Sequence, residues 1–161
     1  MSEASNEIVV SSRVRLARNY HDLPFSNADA PQNAQLCVDR AIEALDQRSP
    51  DEGYMLYLLR DMSQNERLSL MEGHLVSRDL LQRSEIGAAL IRDDHHVSVM
   101  VNEEDHLRIQ AMMSGLCLPE AMNLAFVTED RLSAVCDFSF DNQLGYLTAC
   151  PTNTGTGMRA S

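Results

Sequence analysis

Three adjacent carboxylates and a histidine, at residues 103–106, form a dense group of reactive side chains. They follow residues 97–101, where valine alternates with other side chains as it does in a strand with one buried face. Burying ionised carboxylates costs free energy unless they meet cations. Carboxylates beside arginines would form either a structural ion-pair network or a site that handles guanidinium and phosphate groups together.

Arginines are the cations that could meet them, because all 13 basic residues are arginine and the chain contains no lysine. Residues 8–16 are predicted to form a strand that carries Arg13 and Arg15 on one face. Residues two apart on a strand are separated by about 6.5–7 Å, so this pair could hold neighbouring phosphates of one polyphosphate. The alternative is an ordinary solvated polar face. Without lysine, the chain cannot use the phosphate-binding lysine of P-loop enzymes or protein kinases.

The overall charge restricts the classes of partner. The chain has 161 residues and a formal net charge of −11 at pH 7. Such an acidic surface argues against non-specific binding to nucleic acid or anionic membranes, and no apolar run is long enough to span a bilayer. The four cysteines form no C-x-x-C pair and no signal peptide precedes them, so we expect reduced thiols and a cytoplasmic location. We expect three of these thiols to be buried, with Cys150 as the exception.

The order of predicted elements favours an α+β fold in which helices flank an antiparallel β-sheet. Apolar residues at helical spacing predict helices at residues 32–47, 63–81 and 119–135, the second interrupted near Gly73. Apolar runs predict further strands at residues 54–59, 87–91, 97–101 and 107–111, with a hairpin-like pair between residues 138 and 150. A turn is predicted at residues 49–53. The acid-acid-His-His run at residues 93–96 is interpreted as a hairpin turn, so no metal ligands are predicted.

Glycines near the end of the sequence imitate a nucleotide-binding motif. Gly155, Gly157 and Ala160 match the G-x-G-x-x-A dinucleotide fingerprint and follow a predicted strand. That fingerprint also needs a helix after it and an acid about 20 residues further on, whereas the sequence has four residues after Gly157. We therefore reject a dinucleotide site and predict a polar loop whose free N–H groups could cradle a phosphate beside Arg159.

Three motifs together resemble the signatures of one family. They are SSRVRLAR at residues 11–18, VNEEDHLR at residues 101–108 and CPTNTGT at residues 150–156. In this order and rough spacing they resemble the ATP:guanido phosphotransferases, the family of the arginine and creatine kinases. The run GTGMRAS at residues 155–161 is similar to the bacterial branch that phosphorylates arginine side chains in proteins. The resemblance covers nearly the whole chain.

The resemblance implies a guanido kinase catalytic fold, similar to glutamine synthetase, and phosphoryl transfer from ATP to a guanidinium group. It implies that Mg²⁺ is bound through the nucleotide. Four arginines would bind the ATP phosphates, namely Arg13, Arg15, Arg108 and Arg159. Glu104 would bind the guanidinium and act as the base, Cys150 would lie against the same guanidinium, and His74 would contact the nucleotide.

Strand parity would separate Glu104 from its acidic neighbours. If strand pairing continued through residues 103–106, Glu104 would share a face with Arg108, whereas Glu103 and Asp105 would face away or cap the bend. A carboxylate can accept two N–H bonds from a guanidinium and take a proton in the transition state. A thiolate held by nearby cationic groups would add a second anion facing the guanidinium.

The resemblance also sets the expected extent and partners. Residues 1–161 resemble the N-terminal part of a catalytic domain, truncated before the rest of that domain and before a C-terminal helical domain. We expect the chain alone to be inactive and to form oligomers through an exposed sheet edge. The expected partners are proteins that present arginine and the Clp-protease stress-response system, with no nucleic acid and no membrane. Two alternatives stay open: a non-catalytic fragment that binds nucleotide, phosphoarginine or another chain, and one half of a kinase for free arginine.

Overall fold

The central element is an antiparallel β-sheet in the computed structural model, which describes residues 10–25, 27, 29–46 and 53–161. The described strands are β1 (Ser11–Arg18), β2 (Tyr54–Leu58), β3 (Ala88–Arg92), β4 (Val97–Val101), β5 (Leu107–Ser114), β6 (Phe140–Asp141), β7 (Gly145–Tyr146) and β8 (Met158–Ala160). Six of them form one sheet in the order β2-β3-β4-β5-β1-β8, and β6 and β7 form a small separate hairpin. Every neighbouring pair is antiparallel. The predicted α+β class with an antiparallel sheet is confirmed.

Helices occupy the long excursions between strands. Within the described residues they are α1 (Pro31–Asp46), α2 (Gln64–Glu72), α3 (Arg78–Gln82) and α4 (Leu118–Ser133). The helix predicted at residues 63–81 is therefore two helices, separated at the predicted break. Two serines explain this division, because Ser63 Oγ and Ser77 Oγ each accept a hydrogen bond from the backbone N–H three residues later and so begin a helix. His74, between the helices, adopts the left-handed conformation that often follows a helix end.

One face of the sheet packs against α1 and α4 and forms the larger hydrophobic core. On β1, β4 and β5 this face carries the buried residues Val14, Leu16, Val97, Val99, Val101, Leu107, Ile109 and Ala111. The two helices contribute Cys37, Val38, Ala41, Leu45, Ala121, Ala125 and Leu132. Because side chains alternate along a strand, a slip of one residue would turn this apolar set to the other face. The core therefore fixes which residues the opposite face presents.

The described residues cover the opposite face over only part of the sheet. A smaller hydrophobic cluster lies there, beneath the chain that connects β2 to β3, and consists of Leu59, Leu75, Val76, Leu80, Ala89, Ile91 and Met100. On β5, β1 and β8 the same face carries arginine and glutamine side chains instead. This uncovered half of the second face is where the candidate site lies.

Several smaller predictions can be compared directly with the structure. Residues 93–96 lie in the turn between β3 and β4, as predicted, whereas residues 8–9 and most of the predicted turn at 49–53 fall outside the described residues. All four cysteines are free thiols, but only Cys37 is buried. The expectation of three buried thiols is wrong because Cys117 and Cys136 flank the two ends of α4, where the chain reaches the surface. Among the described helices, none is both long and apolar enough to cross a membrane.

Candidate functional site

Four arginines from three neighbouring strands project from the same face of the sheet. Arg13 and Arg15 alternate along β1 with buried residues. Arg15 lies opposite Arg159 of β8, and Ala17, which shares the face of Arg15, lies opposite Arg108 of β5. Residues opposite one another on antiparallel strands project to the same side. The strands β5, β1 and β8 therefore place four guanidinium groups side by side, and we call this surface the arginine face.

The guanidinium group of Arg15 lies among the other three. Its pKa is lowered, first because burial disfavours the charged form, and then because Arg13, Arg108 and Arg159 repel the charge. The Nε atom of Arg15 is buried and has no hydrogen-bond partner in the described part of the chain. A buried donor without an acceptor is costly in free energy. The arginine face therefore favours an anion that accepts hydrogen bonds.

Within the described part of the chain, Arg108 is the arginine of this face that forms an ion pair with a carboxylate. Its Nη1 atom lies 3.1 Å from Oε1 of Glu103, which is only 2% exposed. Oε2 of Glu103 accepts a hydrogen bond of 2.7 Å from Ser77 Oγ, and its carbonyl oxygen accepts one of 2.6 Å from Arg83 Nη1. Glu103 thus ties Arg108 to the start of α3. Of the two predicted alternatives for Glu103, to face away from the arginines or to cap the bend, the first is wrong.

The parity argument fails because residues 102–106 form a turn between β4 and β5 and not a continuous strand. Asn102 has a φ of +62°, and its Nδ2 atom donates hydrogen bonds to the carbonyl oxygens of Ala34 and Ile86 at 2.9 and 3.0 Å. The turn is therefore held by a side chain. Glu104 is half-exposed, and no hydrogen bond or ion pair joins its carboxylate to a described residue. Its carboxylate is available to a ligand.

Asp105 fixes the segment that carries Cys150. Its Oδ1 atom accepts hydrogen bonds from Asn19 Nδ2 at 2.7 Å and from the backbone N–H of Ala149 at 2.8 Å. Cys150 follows directly, and its Sγ atom lies 2.9 Å from Thr152 Oγ1. Neither Asp105 nor Asn19 was predicted as a site residue. Asp105 stands inside the VNEEDHLR motif, but nothing in the sequence marks Asn19.

His106 is fully occupied by structural hydrogen bonds. Its Nδ1 atom accepts from the backbone N–H of Tyr20 at 3.0 Å, and its Nε2 atom lies 2.6 Å from the carbonyl oxygen of Pro24. These partners assign a neutral ring with its proton on Nε2. Burial lowers the pKa of His106, and the hydrogen bond to Pro24 opposes this shift. His106 therefore anchors the loop after β1.

Arg18 fixes the glycine-containing loop at residues 154–157. Its Nε atom lies 3.1 Å from Oε1 of Glu129 on α4, and its Nη1 atom donates to the carbonyl oxygen of Thr156 at 2.9 Å. The guanidinium also lies 3.6 Å from the centre of the Tyr146 ring. Gly157 has a φ of +62°, and a side chain there would clash with the Arg18 guanidinium. Packing against Arg18 explains this glycine.

The same loop offers fewer free N–H groups than predicted. Backbone N–H groups that already donate within this region are those of Asn153, Thr154, Gly155 and Met158. The prediction of a cradle of free amides is wrong at these positions, because the loop uses them to hold its own shape. Asn153 nevertheless lines a small pocket together with Arg15, Arg108 and Arg159. The segment that carries Cys150 therefore reaches the edge of the arginine face.

His74 lies where the connection between α2 and α3 meets the sheet. Its carbonyl oxygen accepts a hydrogen bond of 2.7 Å from Gln110 Nε2, and the carbonyl oxygen of Leu75 accepts one of 2.6 Å from Ser98 Oγ. Gln110 lies opposite Arg15 on the sheet, so this connection borders the arginine face. The side chain of His74 is exposed. Gln110 and Ser98 were not predicted as site residues, although polar residues inside two apolar strands are a usable signal.

Comparison with protein families identifies a match over most of the chain. Residues 37–161 match the family model described as ATP:guanido phosphotransferase, C-terminal catalytic domain. The protein-arginine kinase of Moorella thermoacetica is 48% identical over 158 residues, which are 96% of this chain and 45% of that protein. The protein-arginine kinase of Caldanaerobacter subterraneus is 40% identical over 163 residues, which cover 100% of this chain and 48% of that protein. The chain thus spans about half the length of the curated relatives it matches.

Solved structures show the same fold. The substrate-free duplicated taurocyamine kinase from Schistosoma mansoni superposes with a TM-score of 0.83 at 28% identity, covering 98% of this chain and 24% of that one. A lombricine kinase superposes with a TM-score of 0.82 at 23% identity, covering 94% of this chain and 46% of that one. The second likeness, at this low identity, concerns the fold alone.

Proposed function

The chain belongs to the ATP:guanido phosphotransferase family, and we propose that it supplies part of the catalytic domain of a kinase that phosphorylates arginine side chains in proteins. The proposed substrate follows from the names of the curated relatives, which are protein-arginine kinases at 40–48% identity. Because the chain spans about half of those relatives, the activity is proposed for the enzyme that contains this fold. The resemblance of the three motifs supports the same assignment.

The observation that carries the proposal is the arginine face. We assign the binding of the ATP phosphates to Arg13, Arg15, Arg108 and Arg159. A guanidinium donates in a planar fork that matches two phosphate oxygens, and forks from separate strands can hold a polyphosphate from several sides. The buried Nε atom of Arg15, which has no partner among the described residues, would donate to one of those oxygens. Phosphoryl transfer depends mainly on such positioning and charge neutralisation.

We assign the base to Glu104. In the transfer, a guanidinium nitrogen of the substrate forms a bond to the γ-phosphorus, the bond from that phosphorus to the ADP oxygen breaks, and the nitrogen releases a proton. A guanidinium, which stays protonated at neutral pH, attacks only as it loses this proton. The carboxylate of Glu104, which has no partner among the described residues, can accept it. Glu103 is less suited to this role because it is buried and already bound to Arg108.

We assign to Cys150 a contact with the substrate guanidinium, and to Asp105 the positioning of Cys150. The Ala149 N–H group is bound to the Asp105 carboxylate, so the backbone next to Cys150 is held at a fixed place. His74 would contact the nucleotide from the border of the arginine face. Its backbone is held there by Gln110.

Mg²⁺ would enter with the nucleotide. Among the described residues, His21, Asp22 and Cys136 are the one group with three or more possible metal ligands, and they do not belong to the arginine face. A nitrogen and a sulfur ligand also do not suit Mg²⁺, which prefers oxygen. The residues present therefore fit a metal held by phosphate oxygens, where it would neutralise charge on the phosphates.

The binding half of the proposal can be tested with the chain itself. We expect inorganic triphosphate and ATP to bind the chain in isothermal titration calorimetry, and Arg15→Gln to weaken both at least tenfold. Arg60 is an exposed arginine near β2, away from the arginine face, so Arg60→Gln serves as the matched control and should bind like the parent chain. Equal affinities for the two variants would contradict the assignment of Arg15.

The kinase half needs a longer protein. A chimera in which this chain replaces the matching 158 residues of the Moorella thermoacetica relative would be incubated with ATP and either an arginine-containing protein or free arginine. We expect phosphoarginine on the protein, measured by mass spectrometry under neutral conditions. Phosphorylation of free arginine alone would support the alternative of a free-arginine kinase. A folded chimera that binds triphosphate but transfers to neither acceptor would refute the proposed activity.

A further inference from the structure

A second group of reactive side chains lies outside the arginine face, where the loop after β1 meets the segment after α4. It consists of His21, Asp22 and Cys136, and their ligand atoms all lie within 4.8 Å of one another. The backbone joins the two segments directly, because the N–H of His21 donates to the carbonyl oxygen of Asp137 at 3.1 Å. One imidazole nitrogen, one carboxylate oxygen and one sulfur are thus held together by contacts that the reaction proposed above does not use.

We propose that His21, Asp22 and Cys136 form a Zn²⁺ site. Zinc favours nitrogen and sulfur ligands and accepts a carboxylate, usually in tetrahedral geometry. At bond lengths of about 2.3 Å to sulfur and 2.0 Å to oxygen, two tetrahedral ligands are about 3.5 Å apart. Cys136 Sγ and Asp22 Oδ1 lie 3.7 Å apart, so this edge of the tetrahedron is already nearly formed. His21 is exposed, and its ring can complete the set by rotation.

Arg40 holds the proposed carboxylate ligand in place. Its Nη1 and Nη2 atoms donate to Oδ1 and Oδ2 of Asp22 at 2.8 and 2.6 Å. Carboxylates that bind metals are commonly hydrogen-bonded in this way by outer partners. Each carboxylate oxygen has a second lone pair, so Oδ1 can accept from Arg40 and bind a metal at the same time. The Arg40 charge opposes the metal, but Asp22 and a Cys136 thiolate together supply two negative charges.

Binding replaces a proton by the metal without any redox change. The Cys136 thiol now donates toward Asp22 Oδ1 and the carbonyl oxygen of Asp137, each at 3.7 Å. On binding, the S–H bond breaks, an S–Zn bond forms and the proton leaves to solvent. A water molecule would occupy the fourth position. Because the ligands come from segments 114 residues apart, the metal would also cross-link the loop after β1 to the end of α4.

The experiment uses the chain after chelator treatment, in a phosphine reductant, titrated with Zn²⁺ and with Co²⁺ as a spectroscopic probe. We expect one equivalent of metal, a sulfur-to-cobalt charge-transfer band in the near ultraviolet, and a rise of the melting temperature with zinc. Cys136→Ser should abolish the band and weaken zinc binding at least tenfold. His21→Ala changes an exposed residue, so its folding is secure, and it should also weaken binding at least tenfold.

Matched controls separate this site from other thiols and imidazoles. Cys117→Ser and Cys150→Ser remove the other two half-exposed thiols, and His96→Ala removes a ring in the turn between β3 and β4. All three should keep the band and the affinity. Persistence of the band in Cys136→Ser, unchanged affinity in His21→Ala, or binding that never saturates at one equivalent would overturn the proposal. None of these outcomes depends on kinase activity.

Discussion

Replacing Glu103 by glutamine is predicted to destabilise the chain more than the same change at Glu104, although the two residues are adjacent. Glu103 is 2% exposed, lies 3.1 Å from Arg108 Nη1 and accepts a hydrogen bond from Ser77 Oγ. Glutamine keeps the size and one acceptor oxygen but loses the charge. The Arg108 side chain is 15% exposed, so water still solvates part of it after the change. We therefore expect a loss of about 1–3 kcal/mol, below the cost of breaking a fully buried pair.

Urea unfolding of the chain measures this difference. Glu103→Gln should lower the midpoint concentration with an unchanged slope, which would identify a change in stability and not in the compactness of the unfolded state. Glu104→Gln should stay within about 0.5 kcal/mol of the parent, because its half-exposed carboxylate has no described partner. A double-mutant cycle with Arg108→Gln should give a coupling energy of at least about 0.5 kcal/mol. Equal losses at the two glutamates, or no coupling to Arg108, would refute this interpretation of the turn.

In the active chimera the order of the two variants should reverse, because Glu104→Gln should reduce kcat more than Glu103→Gln does. Glu104→Gln is expected to reduce kcat by about 10²–10⁴-fold, which is the usual contribution of a positioned base, while triphosphate affinity stays near the parent value. Glu103→Gln should weaken triphosphate binding, because Arg108 loses the carboxylate that positions it, and should reduce kcat less. Rapid-quench measurement of phosphoarginine gives kcat for both. A larger loss of kcat at Glu103 would show that the base is misassigned.

Three further predictions concern the residues that hold the site in place. Asp105→Ala leaves a buried side-chain amide and the Ala149 N–H without their acceptor, so alkylation of Cys150 by iodoacetamide should become several-fold faster. The pKa of His106 is lowered from its ordinary value of 6.5 by burial, so the folded state binds a proton less readily than the unfolded state. The neutral ring should therefore stabilise the fold fully above about pH 6.5, and this stabilisation should be lost as the pH falls below 6.5, by at most about 1.4 kcal/mol per pH unit. Thermal melts of His106→Gln should not show this loss. Gly157→Ala introduces a Cβ at positive φ against Arg18 and should cost at least about 1–2 kcal/mol in urea unfolding.

The faces of the strands could be predicted from the sequence because alternation is a local property. In β1 the pattern SSRVRLAR requires Val14 and Leu16 to share one side and Arg13 and Arg15 the other, and the structure shows this division. The same rule failed at Glu103, because it holds only while the chain remains extended. The left-handed backbone at Asn102 ends the strand there. Asparagine adopts this conformation more readily than most residues, so the signal was present but was ambiguous without the structure.

The contacts that hold the site were not predictable from spacing. Asp105 binds a backbone N–H 44 residues away, and Arg18 pairs with Glu129 at a separation of 111 residues. In each case one partner lies in a recognisable motif and the other lies in a loop or helix whose local pattern is ordinary. The choice of partner depends on how the sheet and α4 pack, which is a property of the whole fold. Periodicity therefore predicts the helices and strands, and motif resemblance identifies one residue of each contact. Neither of them identifies the second residue.

The acidic composition and the arginine face act over different distances. A formal charge of −11 repels any polyanion at long range, but physiological salt screens charge beyond about 8 Å. A chain of this length has a radius of gyration of about 15 Å, so most of its carboxylates lie too far from Arg15 to influence a bound phosphate. Close to the sheet, the interaction is decided by four guanidinium groups, of which only Arg108 pairs with a described carboxylate. An extended polyanion such as nucleic acid would have to cross the acidic surface, whereas a compact polyphosphate can lie within the arginine face alone. If the arginine face binds phosphate as proposed, this charge distribution would favour a compact polyphosphate over an extended polyanion.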